Sequence, residues 1–79
     1  MSDEAAGMDV AWAALQEFGR RAVFSRRQAL LRELQRRVQQ ETGAAVAWPD
    51  VLWFLTPQII MAALVTVEDR AWRGEEGER

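Results

Sequence analysis

The sequence predicts an all-α protein, a small bundle of three to four helices, and three observations carry that prediction. Apolar residues recur at helical spacing in separate segments, proline-led helix starts stand at Pro49 and Pro57, and a chain of 79 residues has room for one domain only. A domain of this size buries roughly 60% of its unfolded surface and draws about 3 to 5 kcal/mol from its own core, so support from a partner or from self-association is expected.

Residues 1 to 7 are small, polar and acidic and read as a flexible lead-in, so the single helical domain is expected over residues 8 to 73. From Met8, the residues Ala11, Trp12, Leu15, Phe18 and Ala22 form the stripe of an amphipathic helix over 8 to 23. Gly19 interrupts it at a cost of about 1 kcal/mol relative to alanine and marks close packing or a weak point. Ser25, with Gln28 three residues later, matches a capping box and predicts a second helix over 26 to 42. Leu30, Leu31, Leu34 and Val38 supply its buried stripe. On its helical wheel Arg32 and Arg36 lie opposite that stripe, Arg26 and Arg37 flank it, and Arg27 falls on the apolar side.

Gly43 is placed to end this helix in a left-handed conformation. Ala44 to Trp48 is an apolar connector, with a short strand as its alternative. Pro49 and Asp50 suit the first turn of a two-turn helix over 49 to 55. Thr56 and Pro57 repeat that logic, threonine as N-cap and proline at the first helical position, for a helix over 57 to 72. Ile60, Ala63, Leu64, Val67 and Ala71 form its inner face. Ile59, Met61 and Val65 extend the apolar surface nearly all round, which fits the central helix of a bundle or one covered by a second chain. Gly74 and the acidic tail to residue 79 are expected to be disordered. The core should draw on Trp12, Leu15, Leu30, Leu34, Val38, Val51, Leu55, Ile60, Leu64 and Val67.

Cysteine and histidine are both absent. That removes disulfides, thiolate metal sites, the commonest general base and the usual zinc ligand. Carboxylates, two serines and three threonines remain, with no base near neutrality to activate a hydroxyl. No enzyme activity, metal or cofactor is expected. The acidic N-terminus has no apolar core of a signal peptide, and the longest apolar run, Ile59 to Val65, is far short of the roughly 20 residues that span a bilayer. The expected protein is cytoplasmic, without membrane contact.

All ten basic residues are arginine, and the net charge of -2 conceals a block structure. Residues 20 to 37 carry seven arginines against Glu33, a local +6, between flanks of -4 each. The acidic flanks can fold back over the basic middle, or the middle can meet an acidic protein or a nucleic acid. Arg32 and Arg36, spaced i and i+4, are the two arginines expected to be free for a partner.

Within the stretch WPDVLWFLTP, residues 48 to 57, the order Pro49-x-x-Leu52-Trp53-x-Leu55-Thr56-Pro57 resembles the P-x-x-F-W-x-L-T-P signature of small tail assembly chaperones of phages and gene-transfer particles. The resemblance covers about nine residues and extends loosely to the apolar helix Ile59 to Leu64. It implies a non-catalytic helical protein that holds a tail component, such as the tape measure, before assembly. Trp53, Leu55 and Pro57 carry it. That family commonly has an acidic residue two positions after the last proline, where this chain has Ile59. The same residues also suit an ordinary helix-turn-helix corner, with Trp53 and Leu55 packed beneath it and Thr56 as cap.

Three functions follow. The first is a protein-interaction factor that docks a protein partner, or a second copy as a homodimer, through Trp48, Trp53, Phe54, Ile59 and Met61. The second is a small inhibitor of the anti-CRISPR type that blocks nucleic-acid-processing machinery through Arg32 and Arg36 or through Glu68, Asp69, Glu75 and Glu76. The third is direct nucleic-acid binding through residues 20 to 37.

Overall fold

A computed structural model describes residues 3 to 73, and the N-terminal two residues and the expected tail over 74 to 79 lie outside the described residues. Three α-helices follow in order: α1 over Asp3–Arg21, α2 over Phe24–Thr42 and α3 over Pro57–Trp72. A 3-10 turn, Asp50–Phe54, takes the place of the expected fourth helix, and no strand occurs among the described residues.

α1 starts five residues earlier than the apolar stripe predicts: Asp3-Glu4-Ala5-Ala6 lies within the helix, where acids in the first turn and alanines favour it. Its buried positions are Ala11 and Phe18, two turns apart. Trp12, expected in the core, is more than a third exposed. It stands about 100° round the helix from the buried Ala11.

Only Ala22 and Val23 link α1 to α2. Val23 is extended at φ −72°, ψ 167°, and its carbonyl accepts from the N–H groups of Arg26 and Arg27 at 3.1 and 3.0 Å. α2 therefore begins at Phe24, ahead of Ser25, and the predicted capping box is not formed: no side chain caps this end. Arg27 is exposed and donates through Nη1 to the Gly19 carbonyl at 3.1 Å. Leu30, Leu34 and Val38 are buried as expected, while Leu31 is exposed at the edge of the stripe.

Gly43 ends α2 at φ 76°, its N–H bonded to the Gln39 carbonyl at 2.8 Å. The connector that follows is tied down by two side chains of α2. Gln35 Nε2 donates to the Val46 carbonyl at 2.7 Å, and Gln39 Oε1 accepts from the Val46 N–H at 3.2 Å. With both backbone groups of Val46 paired in this way, the connector has no need of a strand partner.

The Trp48–Pro49 bond is cis, and Pro49 precedes the 3-10 turn instead of opening an α-helix. At the next start the prediction holds. Thr56 is the N-cap, its Oγ1 accepts from the Ile59 N–H at 3.1 Å, and Pro57 is the first residue of α3.

α3 is the helix that both others share. It buries Ile59, Ile60, Ala63, Leu64 and Val67, a width no single neighbour could cover. Gly7 of α1 lies beside Pro57, and Phe18 shares a groove with Leu64 and Glu68, so α1 and α3 run in the same direction. Arg37 reaches Thr66 and Glu33 reaches Arg70, so α2 runs opposite to α3. Arg26 ties the three together: its guanidinium lies 5.8 Å from the Phe18 ring centre and 4.0 Å from Glu68. The apolar excess of α3 is thus first explained by its central place.

Candidate functional site

Two features stand apart from the packing: an aromatic corner around the 3-10 turn and an arginine cluster around Glu33.

The corner is built by a turn too short to bury more than one side. Val51 is fully buried, and Leu55, extended at φ −72°, ψ 135°, returns to the core just after the turn. Leu52, Trp53 and Phe54 lie between these two anchors and are all exposed, Trp53 by 84%. Trp48 is exposed on the preceding segment, and the connector residues Ala45 to Ala47 line a shallow groove with Trp53 and Phe54. The expectation that Trp53 packs beneath the corner is therefore overturned: Leu55 and Val51 hold the corner and the aromatic residues face out. Of the other expected docking residues, Met61 is exposed on α3, one turn before the exposed Val65. Ile59 is not on the surface. It is buried in the core beside Ile60, because α3 is packed by both other helices and its inward face is wide enough to take both residues.

The arginine cluster surrounds the one charged side chain buried among the described residues. Glu33 is 3% exposed and sits on the side of α2 that faces α3. Arg36 donates to it through Nε at 3.3 Å and Nη2 at 2.5 Å, and Arg37 through Nε at 2.7 Å. Arg70 of α3 brings Nη1 to 3.6 Å of the same carboxylate. Arg37 also donates through Nη2 to Thr66 Oγ1 at 2.8 Å, which fixes it across the helix pair. Burial pushes the Glu33 carboxyl up, and the hydrogen bonds and charges of Arg36 and then Arg37 pull it down further, leaving it below its ordinary value. The bond to Glu33 raises Arg36 in return.

Arg36 is thus engaged within the fold, contrary to the expectation that it stands free. Arg32 is exposed and makes no hydrogen bond or ion pair among the described residues. The acidic residues expected to meet a partner have internal ones: Glu68 faces Arg26, and Asp69 pairs with Arg73 at 3.0 Å. Glu17 pairs with Arg20 and, at 3.4 Å, with Arg21. Of the two acidic flanks, Glu17 and Glu68 reach arginines of the basic middle, Glu17 within its own helix and Glu68 from α3. Glu75 and Glu76 lie outside the described residues.

Sequence reasoning missed Glu33 as the centre of a cluster, although the spacing Glu33-x-x-Arg36-Arg37 places both arginines on neighbouring turns of one face. It also missed Leu52 as a member of the corner, since alternation of buried and exposed positions in a 3-10 turn has no period long enough to read.

Fold and site together define a small all-helical domain whose distinctive surfaces are an apolar corner and a cationic cluster. Comparison with protein-family models, with curated proteins and with solved structures found no match.

Proposed function

We propose that this chain is a non-catalytic protein-interaction factor that docks a protein partner through the aromatic corner. The observation that carries this reading is the division of one short turn, with Val51 and Leu55 buried as anchors and Leu52, Trp53 and Phe54 between them turned to solvent. Large aromatic side chains are costly to leave in water and are the residues that dominate binding energy at interfaces. Their backbone is held at both ends, by the Val46 clamp and by the Thr56 cap, so little ordering is needed on binding. Trp48, exposed just before the turn, extends the surface, and Met61 is a further exposed apolar residue on α3.

The resemblance of residues 49 to 57 to tail assembly chaperones supplies a class of partner, a phage-type tail component held before assembly. The turn itself supports a docking role with or without that class, since Trp53 is one of the residues that carry the resemblance and is exposed.

The test is capture of a co-expressed tail component, with Trp53→Ala and Phe54→Ala as controls and far-UV circular dichroism on each variant. Both variants should lose the partner and keep the helical signal. If both lose their helicity instead, these residues belong to the core and the proposal fails. Light scattering over a concentration series separates a foreign partner from a second copy of the chain.

A further inference from the structure

The arginine cluster is a second surface, separate from the corner in sequence and in chemistry. Arg36, Arg37 and Arg70 converge on the single carboxylate of Glu33, and Arg32 stands one turn before Arg36 on the same side of α2. Three guanidinium groups on one buried carboxylate leave an excess of two positive charges, and Arg32 adds a third one turn away along α2. The other acids on these two helices are Glu41, one turn beyond Arg37, and Glu68 and Asp69, which face Arg26 and Arg73.

Most surface arginines are mobile, and holding them still costs entropy when a partner arrives. Here that cost is met in the fold. Arg36 uses Nε and Nη2 on Glu33, which leaves Nη1 for another acceptor, and its side chain is still about half exposed. Arg70 is similarly exposed on the α3 side. The result is a set of outward N–H groups in fixed positions, with the unpaired Arg32 beside them.

We infer that this face of α2 and α3 binds an acidic protein segment, taking one or two further carboxylates through Arg32, Arg36 and Arg70. Two observations favour carboxylates over the phosphates of a nucleic acid. The cluster already holds a carboxylate by two-point contacts from Arg36, the geometry in which guanidinium and carboxylate match. The chain as a whole also carries a net charge of -2, unlike the strongly basic surfaces of most dedicated nucleic-acid binders. A short acidic segment of a protein meets only the cluster.

The experiment is binding of a fluorescently labelled octaglutamate peptide to the full chain at low ionic strength, followed as salt is raised. A single-stranded oligonucleotide of equal charge serves as the second probe. The peptide should bind the wild type, weaken with salt and lose about tenfold in affinity on Arg32→Glu, a substitution at a position with no partner in the fold. Arg36→Lys, which keeps the charge but loses the fork, should weaken it further than its charge alone allows. Trp53→Ala should leave it unchanged, which separates this surface from the corner. No peptide binding at low salt overturns the inference. So do equal binding by Arg32→Glu, tighter binding of the oligonucleotide, or loss of peptide binding on Trp53→Ala. If Arg36→Lys disturbs the helical signal, Arg32→Glu alone decides.

Discussion

Gly19 lies in the last turn of α1, where a methyl group on its Cα would meet no atom within 4 Å outside its own helix, whereas Gly43 ends α2 at φ 76°. The same substitution should therefore act with opposite sign at the two positions. Gly19→Ala should raise stability by about 1 kcal/mol, the helix-propensity difference, and this removes the reading of Gly19 as a close-packing site. Gly43→Ala should lower it by about 1 kcal/mol, because a Cβ is disfavoured in the left-handed region. Urea denaturation of both variants checks the pair. Glu33 yields a prediction in pH. Its carboxyl is held below its ordinary value of about 4.5, so the cluster's contribution is complete above that value in the unfolded chain and is lost as pH falls through the lower folded value. Glu33→Gln should cost about 1 to 3 kcal/mol at neutral pH and flatten the acid limb of a plot of denaturation midpoint against pH. An acid limb identical to that of the wild type would show that Glu33 does not contribute to it.

The elements differ in how plainly the chain announced them. α3 was legible because threonine then proline is a local signal: the cap bond from the Ile59 N–H to Thr56 forms within four residues and depends on nothing remote. Thr56→Ala should accordingly cost about 1 kcal/mol in thermal or urea unfolding. The end of α2 at Gly43 was legible for the same reason. The start of α2 was not, since the length of the link from α1 is set by how the two helices meet, and that contact lies outside any capping pattern. Pro49 and Asp50 predict a helix over 49 to 55, yet the segment is a 3-10 turn over Asp50–Phe54 with only Val51 buried, and Leu55 returns to the core after it. The candidate site was half legible. Composition singled out Trp48, Trp53, Phe54 and Met61, which are exposed, and also Ile59, which is buried, because apolar character alone does not tell which side of a helix a residue takes. The arginine excess was visible, but its organisation around one carboxylate depends on Arg70, remote in sequence from Glu33.

At the scale of the molecule, the sharing of α3 by both neighbours concentrates the core on one helix. Ile60→Ala, at a fully buried position facing that core, should cost about 2 to 5 kcal/mol, while Val65→Ala on the exposed side should stay within about 0.5 kcal/mol. Comparable losses at the two positions would mean that the outer side of α3 is covered, as in a dimer. The three helices fill a body of 45 × 27 × 19 Å, whose least dimension is about two helix diameters, so much of the chain lies near solvent. The aromatic residues follow that shape. None of the four tryptophans is buried: Trp12 and Trp48 are more than a third exposed, and Trp53 and Trp72 are 84% and 88% exposed. Trp53 and Trp72 should then fluoresce at the long wavelengths of hydrated indole in the native protein, and the change of colour on unfolding should come from the partly covered Trp12 and Trp48. The two outer indoles become reporters of coverage, and a blue shift of the native emission on mixing with another molecule would register contact at the surface.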